Sequence, residues 1–364
     1  MYSENVYKQW FITTIALTIT IFLLFVMFNI VCSYRNERTT YTVLEHAAQT
    51  LLDGHMVAGL GDDKAYDDRL LQKLIIQKFK KIPDIALFGS SRSMPIRTES
   101  LEYLGLKSFF NHSLTSASIE DAIALLGIYQ ATHHAIPKTI IISIDPWIFN
   151  EKTFCEKWKS NGTYYKTLVT QFFKTKTRPN LDTIQKKYDY WRLISFSYTL
   201  QNIQTLGKTP LQFFIPTDTN YNEFIRDIDG SVYIPKKIRE QPDSKTHDII
   251  AKNIKYHVTD CARERISKLF HTDLFEAFIA FLVQKNSRVI FYLPAYHPDL
   301  YKFFTQNPEY SGFFTIETYL KNFAVKNKIT ILGSYNPEKY NLETKDFFDG
   351  IHGHDSCIKK VLQN

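Results

Sequence analysis

The run from Phe11 to Ser33, FITTIALTITIFLLFVMFNIVCS, holds no charged residue over 23 positions. At 1.5 Å per residue a helix of that length crosses a hydrocarbon core of about 30 Å. Trp10 and Tyr34 bracket the run as interfacial aromatics do, and Lys8, Arg35 and Arg38 mark its polar edges. A cleaved leader is the alternative, but the run exceeds an h-region in length and no A-x-A-like site follows it. A lipid-modified Cys32 fits poorly with bulky Val31 before it. The pattern then turns polar: residues 35–82 read as a helical stalk, most periodic over DRLLQKLIIQKF, and order proper begins at Pro83.

Beyond Pro83, short apolar runs alternate with helical stretches. DIALF (84–88), SFFN (108–111), TIIISI (139–144), RVIFYL (288–293) and KITIL (328–332) read as strands. Between them, SIEDAIALLGIYQATHH puts Ile119, Ala122, Ile123, Leu126 and Tyr129 on one helical face, and Ser118 three residues before Asp121 marks its start. RISKLFHTDLFEAFIAFLVQKN and residues 312–327 read as further helices. β-Branched runs separated by helices predict an α/β domain with a parallel sheet covered on both faces. The alternation stops after Trp147. Residues 150 to about 262 are rich in Tyr, Phe, Lys and Asn without a clean period, punctuated by TRPN, GKTP, IDGSVY and QPDSK, and read as a large insertion. The chain thus divides into an anchor (1–34), a stalk (35–82) and a domain (83–364) that contains the insertion.

Composition narrows the classes. A content of 44% hydrophobic and 15% aromatic residues excludes global disorder and supplies a sizeable core. Lys and Arg outnumber Asp and Glu by 44 to 37, a formal +7 that no dense basic cluster explains. Nucleic-acid binding is therefore not indicated, whereas anionic headgroups or acidic polysaccharide would be tolerated. Charge at the two ends of the apolar run is nearly balanced and does not set its orientation. Cys32 lies in that run; Cys155, Cys261 and Cys357 allow at most one disulfide, with no CxxC pair.

Two stretches carry the candidate chemistry. In IALFGSSRS (85–93) an apolar strand runs into Gly-Ser-Ser, placing a hydroxyl at the carboxyl end of a strand, the edge where open α/β sheets bind ligands. Gly89 would allow a sharp turn, and Ser91 would sit at the amino end of whatever follows, where N–H groups stabilise an oxyanion. Serine is a poor nucleophile without a base. FFDGIHGHDSC, close to the carboxyl end of the chain, offers His352 as that base, and Asp349, three residues earlier, to fix its tautomer and stabilise the imidazolium.

In order and placement these blocks resemble the SGNH/GDSL hydrolase superfamily, whose nucleophile sits in a Gly-Asp-Ser block after the first strand and whose closing block is D-x-x-H. Gly89-Ser90-Ser91 matches the first with Ser in place of Asp, which puts the nucleophile at Ser91, and Asp349-Gly350-Ile351-His352 matches the last. The second block's Gly, whose N–H joins the oxyanion hole, corresponds to Ser116 in NHSLTSAS. The third block, G-x-N-D, should follow TIIISI, but the chain reads IDPWIFN: the oxyanion Asn is missing, and Asp145 and Trp147 occupy its place. The relaxed first block, the amino-terminal anchor and the closing F-x-D-G-x-H are similar to membrane-anchored SGNH-like proteins of bacterial envelope polymer modification, such as those serving teichoic-acid D-alanylation or alginate acetylation. The resemblance spans roughly residues 83–150 and 285–356. It implies a three-layer α/β/α, flavodoxin-like fold without a cofactor, and a serine O-acyltransferase or esterase that works on acyl groups of the O-acetyl type in an envelope polysaccharide. Ser91, His352 and Asp349 would be its triad, with N–H groups near Arg92 and Ser116 holding the oxyanion. It further implies a place on the outer side of the cytoplasmic membrane, held by residues 11–33, and a multispanning O-acyltransferase as partner.

Other residues stand near these blocks. Arg92 would steer an anionic substrate or pair with a nearby acid. Asn111, at a strand end, would brace the first loop or meet substrate, as would Asp145 and His297, the last just past the RVIFYL strand. His133 and His134 fit a helix end. Trp147, Trp158 and Trp191 would form core or a sugar-stacking platform. Two rivals remain: a metal site from Asp349, His352, His354 and Asp355 with His297, and a catalytically silent scaffold that binds glycan or a membrane acyltransferase.

Overall fold

The computed structural model describes residues 4–61, 66–105, 108–153, 155–173, 191–206, 211–256 and 260–363. TRPN (177–180) and GKTP (207–210) lie outside the described residues. The principal helices in chain order are α1 (Glu4–Leu52), α2 (Asp68–Lys78), α3 (Ile119–His133), α4 (Gly162–Phe172), α5 (Phe196–Leu206), α6 (Asp243–Tyr256), α7 (Thr272–Gln284), α8 (Pro298–Gln306), α9 (Ser311–Asn327) and α10 (Asp355–Leu362). The strands are β1 (Val57–Ala58), β2 (Ile85–Phe88), β3 (Phe109–Asn111), β4 (Thr139–Ser143), β5 (Ile225–Arg226), β6 (Val232–Tyr233), β7 (Arg288–Leu293) and β8 (Thr330–Gly333). The chain forms two compact units, residues 1–43 with 175–211, and residues 44–174 with 212–364.

The first unit is built on α1, which is long and apolar enough to cross a membrane. Thr13, Thr14, Thr18 and Thr20 satisfy their hydroxyls inside the helix, each donating to the carbonyl four residues back at 2.8–2.9 Å. An apolar solvent offers no other partner for them.

The second unit is a mixed α/β structure around a parallel five-stranded sheet in the order β3-β2-β4-β7-β8. Counted along the chain these strands stand as 2-1-3-4-5, so the winding reverses between β2 and β4, and a crevice opens outside their carboxyl ends. Both faces are buried, which is why the strands read as unbroken apolar runs. Ile85, Leu87, Ile141 and Ile290 pack with Ile358 and Leu362 of α10 on one face. On the other, Phe291 meets Phe275 of α7 and Phe323 of α9 at ring separations of 5.5 and 6.3 Å. The end of the chain is therefore held: burying each aliphatic side chain of α10 contributes about 1.5–3 kcal/mol, and α10 fixes the loop before it.

The stalk expected over residues 35–82 is in part corrected. α2 buries Leu71, Leu74, Ile75 and Ile76, and Arg69 grips Asp121, at the start of α3, in two parallel bonds (Nε to Oδ1 3.0 Å, Nη2 to Oδ2 2.9 Å). The folded unit thus begins well before Pro83. The helix start itself follows its sequence signal: the Ser118 N–H donates to Asp121 Oδ2 at 2.9 Å. The helical reading of RISKLF is also corrected: α7 begins only at Thr272, after His271 in the left-handed region. The Ile266 carbonyl lies across Gly312, 1.8 Å from where a β-carbon there would sit, and this close crossing of α9 draws the segment out of the helix. Part of the expected insertion is woven into the sheet's surroundings. The β5–β6 turn accepts the Asn111 N–H at Asp229 (2.7 Å), and the Val232 N–H donates to the Met94 carbonyl (2.9 Å).

Candidate active site

The carboxyl end of β2 delivers Gly89-Ser90-Ser91 to the crevice. Gly89 is needed there for space and not for a turn: its φ lies outside the left-handed range, and a β-carbon would stand 2.4 Å from both Ser143 Cβ and Ser93 Oγ. No regular helix follows Ser91. The loop descends through successive turns instead, with Ser93 N–H donating to the Ser90 carbonyl (3.1 Å) and Ile96 N–H to the Ser93 carbonyl (3.1 Å). A helix dipole is thus not the source of electrostatic help at this hydroxyl.

The loop before α10 brings the other half. Ser91 Oγ lies 2.8 Å from His352 Nε2, and His352 Nδ1 lies 2.7 Å from Asp349 Oδ2. Asp349 Oδ1 accepts the N–H groups of Ile351 (2.8 Å) and His352 (2.7 Å). Burial pushes the Asp349 carboxyl up, but the adjacent His352 imidazole and these hydrogen bonds outweigh it and hold the group below the ordinary carboxylate range. An ionised carboxylate only accepts, so Nδ1 carries the ring proton and Nε2 is left to accept from the Ser91 hydroxyl. The His352 and Asp349 side chains are 25% and 27% exposed, enough to admit a reactant.

Arg92 couples the two loops. Its Nε donates to the Ile351 carbonyl (2.9 Å), Nη1 to Asp145 Oδ1 (3.0 Å), and Nη2 to the carbonyls of Pro294 (2.8 Å) and Ala295 (2.7 Å). The guanidinium lies 4.0 Å from the centre of the Tyr296 ring. With no side-chain exposure, Arg92 pairs with a nearby acid and does not steer a substrate. Burial pushes the Asp145 carboxyl up, against the pull of Arg92 and of the Ser90 hydroxyl bound to it. Asp145 is 1% exposed and offers no donor, which corrects its assignment as an oxyanion or substrate contact.

Two further assignments are corrected in the same way. The Asn111 amide is spent on the carbonyls of Ser93 (2.9 Å), Met94 (3.2 Å) and Ile96 (2.9 Å), so Asn111 braces the first loop and cannot reach substrate. His297, fully buried, caps α8: Nδ1 accepts the Asp299 N–H (3.1 Å) and Nε2 faces Thr344 Oγ1 at 3.2 Å. Burial pushes its imidazole down to about 4. Its backbone N–H donates to the Gly350 carbonyl (3.0 Å), so it holds the Asp349–His352 loop from behind. Ser116 has a φ of 51°, the left-handed region that favours glycine, at the position the resemblance gives to Gly. Asp68 and Arg69 hold its loop through the Thr115 N–H (2.7 Å) and carbonyl (3.0 Å).

The ligand set of the metal rival is not assembled. Asp355 pairs with Arg97 at 2.8 Å, His297 is the helix cap, and among the described residues no group of three or more His, Cys, Asp or Glu side chains is placed to hold an ion. His133 Nε2 meets the Ile76 carbonyl at 2.7 Å, and His134 ends α3 in the left-handed region. Trp147 and Trp158 are core, whereas Trp191 is 61% exposed. No disulfide joins Cys32, Cys155, Cys261 or Cys357, and burial pushes the Cys357 thiol up to about 12.

Sequence reasoning missed two contributors. Phe348 lies nearly parallel to the His352 ring, with centroids 6.1 Å apart, and its N–H donates to the His352 carbonyl (3.1 Å). Gln241, from the segment read as insertion, donates Nε2 to the Phe348 carbonyl at 2.6 Å. A cleft of about 430 Å³ opens beside them, lined by Arg97, Arg239, Gln241, Phe348 and His354 among others. Phe348 adjoins the D-x-x-H block and was findable; nothing in QPDSK marked Gln241. Comparison with protein-family models and with curated proteins returned no match.

Proposed function

We propose that the chain is a membrane-tethered SGNH-like serine O-acyltransferase or esterase that handles acyl groups of the O-acetyl type on a cell-envelope polysaccharide. The observation that carries this reading is the continuous hydrogen-bonded line Ser91–His352–Asp349, at 2.8 and 2.7 Å, in the crevice where the sheet's winding reverses. The strand order 2-1-3-4-5 is that of flavodoxin-like sheets and supports a three-layer SGNH-like fold.

In the reaction the Ser91 hydroxyl passes its proton to His352 Nε2 while Oγ bonds the acyl carbon. The imidazolium, stabilised by Asp349, then protonates the departing oxygen as its bond to carbon breaks. A sugar hydroxyl, or water in an esterase, gives its proton to the same nitrogen and takes the acyl group from Oγ, which regains a proton. The oxyanion would rest on N–H groups near Arg92 and Ser116; in the free protein the Arg92 N–H donates to Ser90 Oγ at 3.2 Å. The apolar α1 is consistent with a single anchor in a cytoplasmic membrane, the domain lying outside it beside a multispanning O-acyltransferase.

A serine-directed fluorophosphonate tests the reading. Labelling of the wild type should fall about 10⁴-fold or more in Ser91→Ala and in His352→Ala. A folded wild type that resists the reagent would favour the second reading, a silent SGNH-like scaffold binding glycan or the acyltransferase. That alternative draws on one observation: the third-block position is occupied by Asp145, locked on Arg92 at 3.0 Å, and supplies no oxyanion donor.

A further inference from the structure

α5 closes two polar residues against α1 and turns a strip of large apolar residues outward. Two of its polar residues, Thr199 and Asn202, are 7% and 3% exposed, while Phe196, Leu200, Ile203 and Leu206 are 69%, 44%, 52% and 52% exposed; Ser197, Gln201, Gln204 and Thr205 are exposed beside them. The hidden face meets Asn29, which is fully buried inside the apolar run of α1. Asn29 Nδ2 donates to the Leu193 carbonyl and to Thr199 Oγ1, both at 2.8 Å, and Asn202 Nδ2 donates to Asn29 Oδ1 at 3.0 Å. At the polar end of the run, Arg192 Nη2 reaches Ser33 Oγ (3.2 Å) and Glu37 Oε1 (3.3 Å).

These contacts set direction and depth. Arg192 lies level with residues 33–37 of α1, and Thr199 and Asn202 lie level with residue 29, so the segment runs antiparallel to α1, from its charged end into its apolar stretch. Asn29 stands about 6 Å inside the charge-free run, and the residues from Asn202 to Leu206 add about another 6 Å along the helix axis. The end of α5 thus approaches the middle of a hydrocarbon layer about 30 Å thick, while its 11 residues are too few to cross one.

We propose that residues 191–206 form a half-membrane hairpin element, pinned to the span by the Asn29 clasp, whose Phe196–Leu200–Ile203–Leu206 face is solvated by lipid acyl chains. The closed Asn29–Thr199–Asn202 clasp and the outward strip Phe196–Leu200–Ile203 match a hydrocarbon solvent, where exposed aliphatics cost nothing, and the exposed Ser197, Gln201 and Gln204 lie beside that strip and not in it. Continuity with the apolar run of α1 at the same depth identifies the occupant as lipid.

The proposal rests on α1 crossing a bilayer, and spin labelling of the full chain in phosphatidylcholine–phosphatidylglycerol vesicles separates the two claims. Nitroxides are placed in Phe196→Cys, Leu200→Cys and Ile203→Cys, with Leu24→Cys on α1 as control and labelled wild type as blank. The ratio of oxygen to nickel-chelate collisions should be severalfold above the water value at Leu200 and Ile203, higher at Ile203 than at Phe196, and high at Leu24. A water-like ratio at Leu200 and Ile203 with a high one at Leu24 overturns the hairpin alone. Protection from both collision agents overturns it too, because the face is then covered by protein. A water-like ratio at Leu24 removes the span and the hairpin with it.

Discussion

Ser91 is half-buried, with the His352 imidazole 2.8 Å from its hydroxyl, whereas the side chain of Arg92, the next residue, is fully buried and spreads its donors over Asp145 and three carbonyls. The two stand one peptide apart and serve opposite ends. A group that reacts must keep an open side and a partner able to take its proton. A charge that holds a structure together must be saturated, because a desolvated cation is tolerated only when every dipole around it compensates. In the proposed reaction Arg92 would act indirectly, as a positioning residue: it holds the Ile351 carbonyl, next to His352, against the loop that carries Ser91.

Three perturbations break or sharpen that contrast. The largest effect is expected from Asp349→Asn. Its oxygen can still accept the N–H groups of Ile351 and His352, so thermal stability should hold, while the amide now donates to Nδ1 and forces the proton onto Nε2. Fluorophosphonate labelling should fall about 10⁴-fold; a fall below tenfold would remove Asp349 from the proposed mechanism. Next comes Arg92→Met, which strands Asp145 and should cost about 3–5 kcal/mol in denaturant midpoint. Adding Asp145→Leu should restore most of that stability without restoring the labelling rate, since the clamp on Ile351 stays lost. If labelling returned with stability, Arg92 would be structural only.

The smallest effect is a pH dependence of stability. Burial pushes His297 down to about 4 and His112, between Gln72 and Tyr129, down to about 3, from an ordinary 6.5. Both are neutral in the fold, and the unfolded imidazoles take up protons first. Stability is thus complete above about pH 6.5 and declines toward pH 4, by on the order of 1–3 kcal/mol for each residue. His297→Asn keeps an N-cap without a titrating ring, so the midpoint measured against pH should flatten over that window. An unchanged slope would mean that His297 is charged in the fold.

Much of the site was legible in advance because its signals are local. IALF is a strand by its apolar run, Gly-Ser-Ser is a strand end, and D-x-x-H is the spacing at which a carboxylate reaches its own imidazole. The placement of Arg92, Asp145, Asn111 and His297 was not legible, because the same residue types serve as substrate contacts when open to solvent and as braces when buried. The share of residues 150–262 in the fold was equally hidden: the β5–β6 turn and Gln241 act through backbone hydrogen bonds, which any side chain permits.

By itself the amino-acid order determined where the apolar helix runs, which segments become parallel strands, and that Asp349 lies within reach of the His352 ring. These follow from periodicity and from contacts a few residues apart. Tertiary structure alone decided that 261 residues of separation close to 2.8 Å between Ser91 and His352, that Arg92 is a clamp, and that Asn29 hides its amide in an apolar helix. Burial is a property of the whole packed chain, and burial is what turns the same side chain from a reactive group into a fastening.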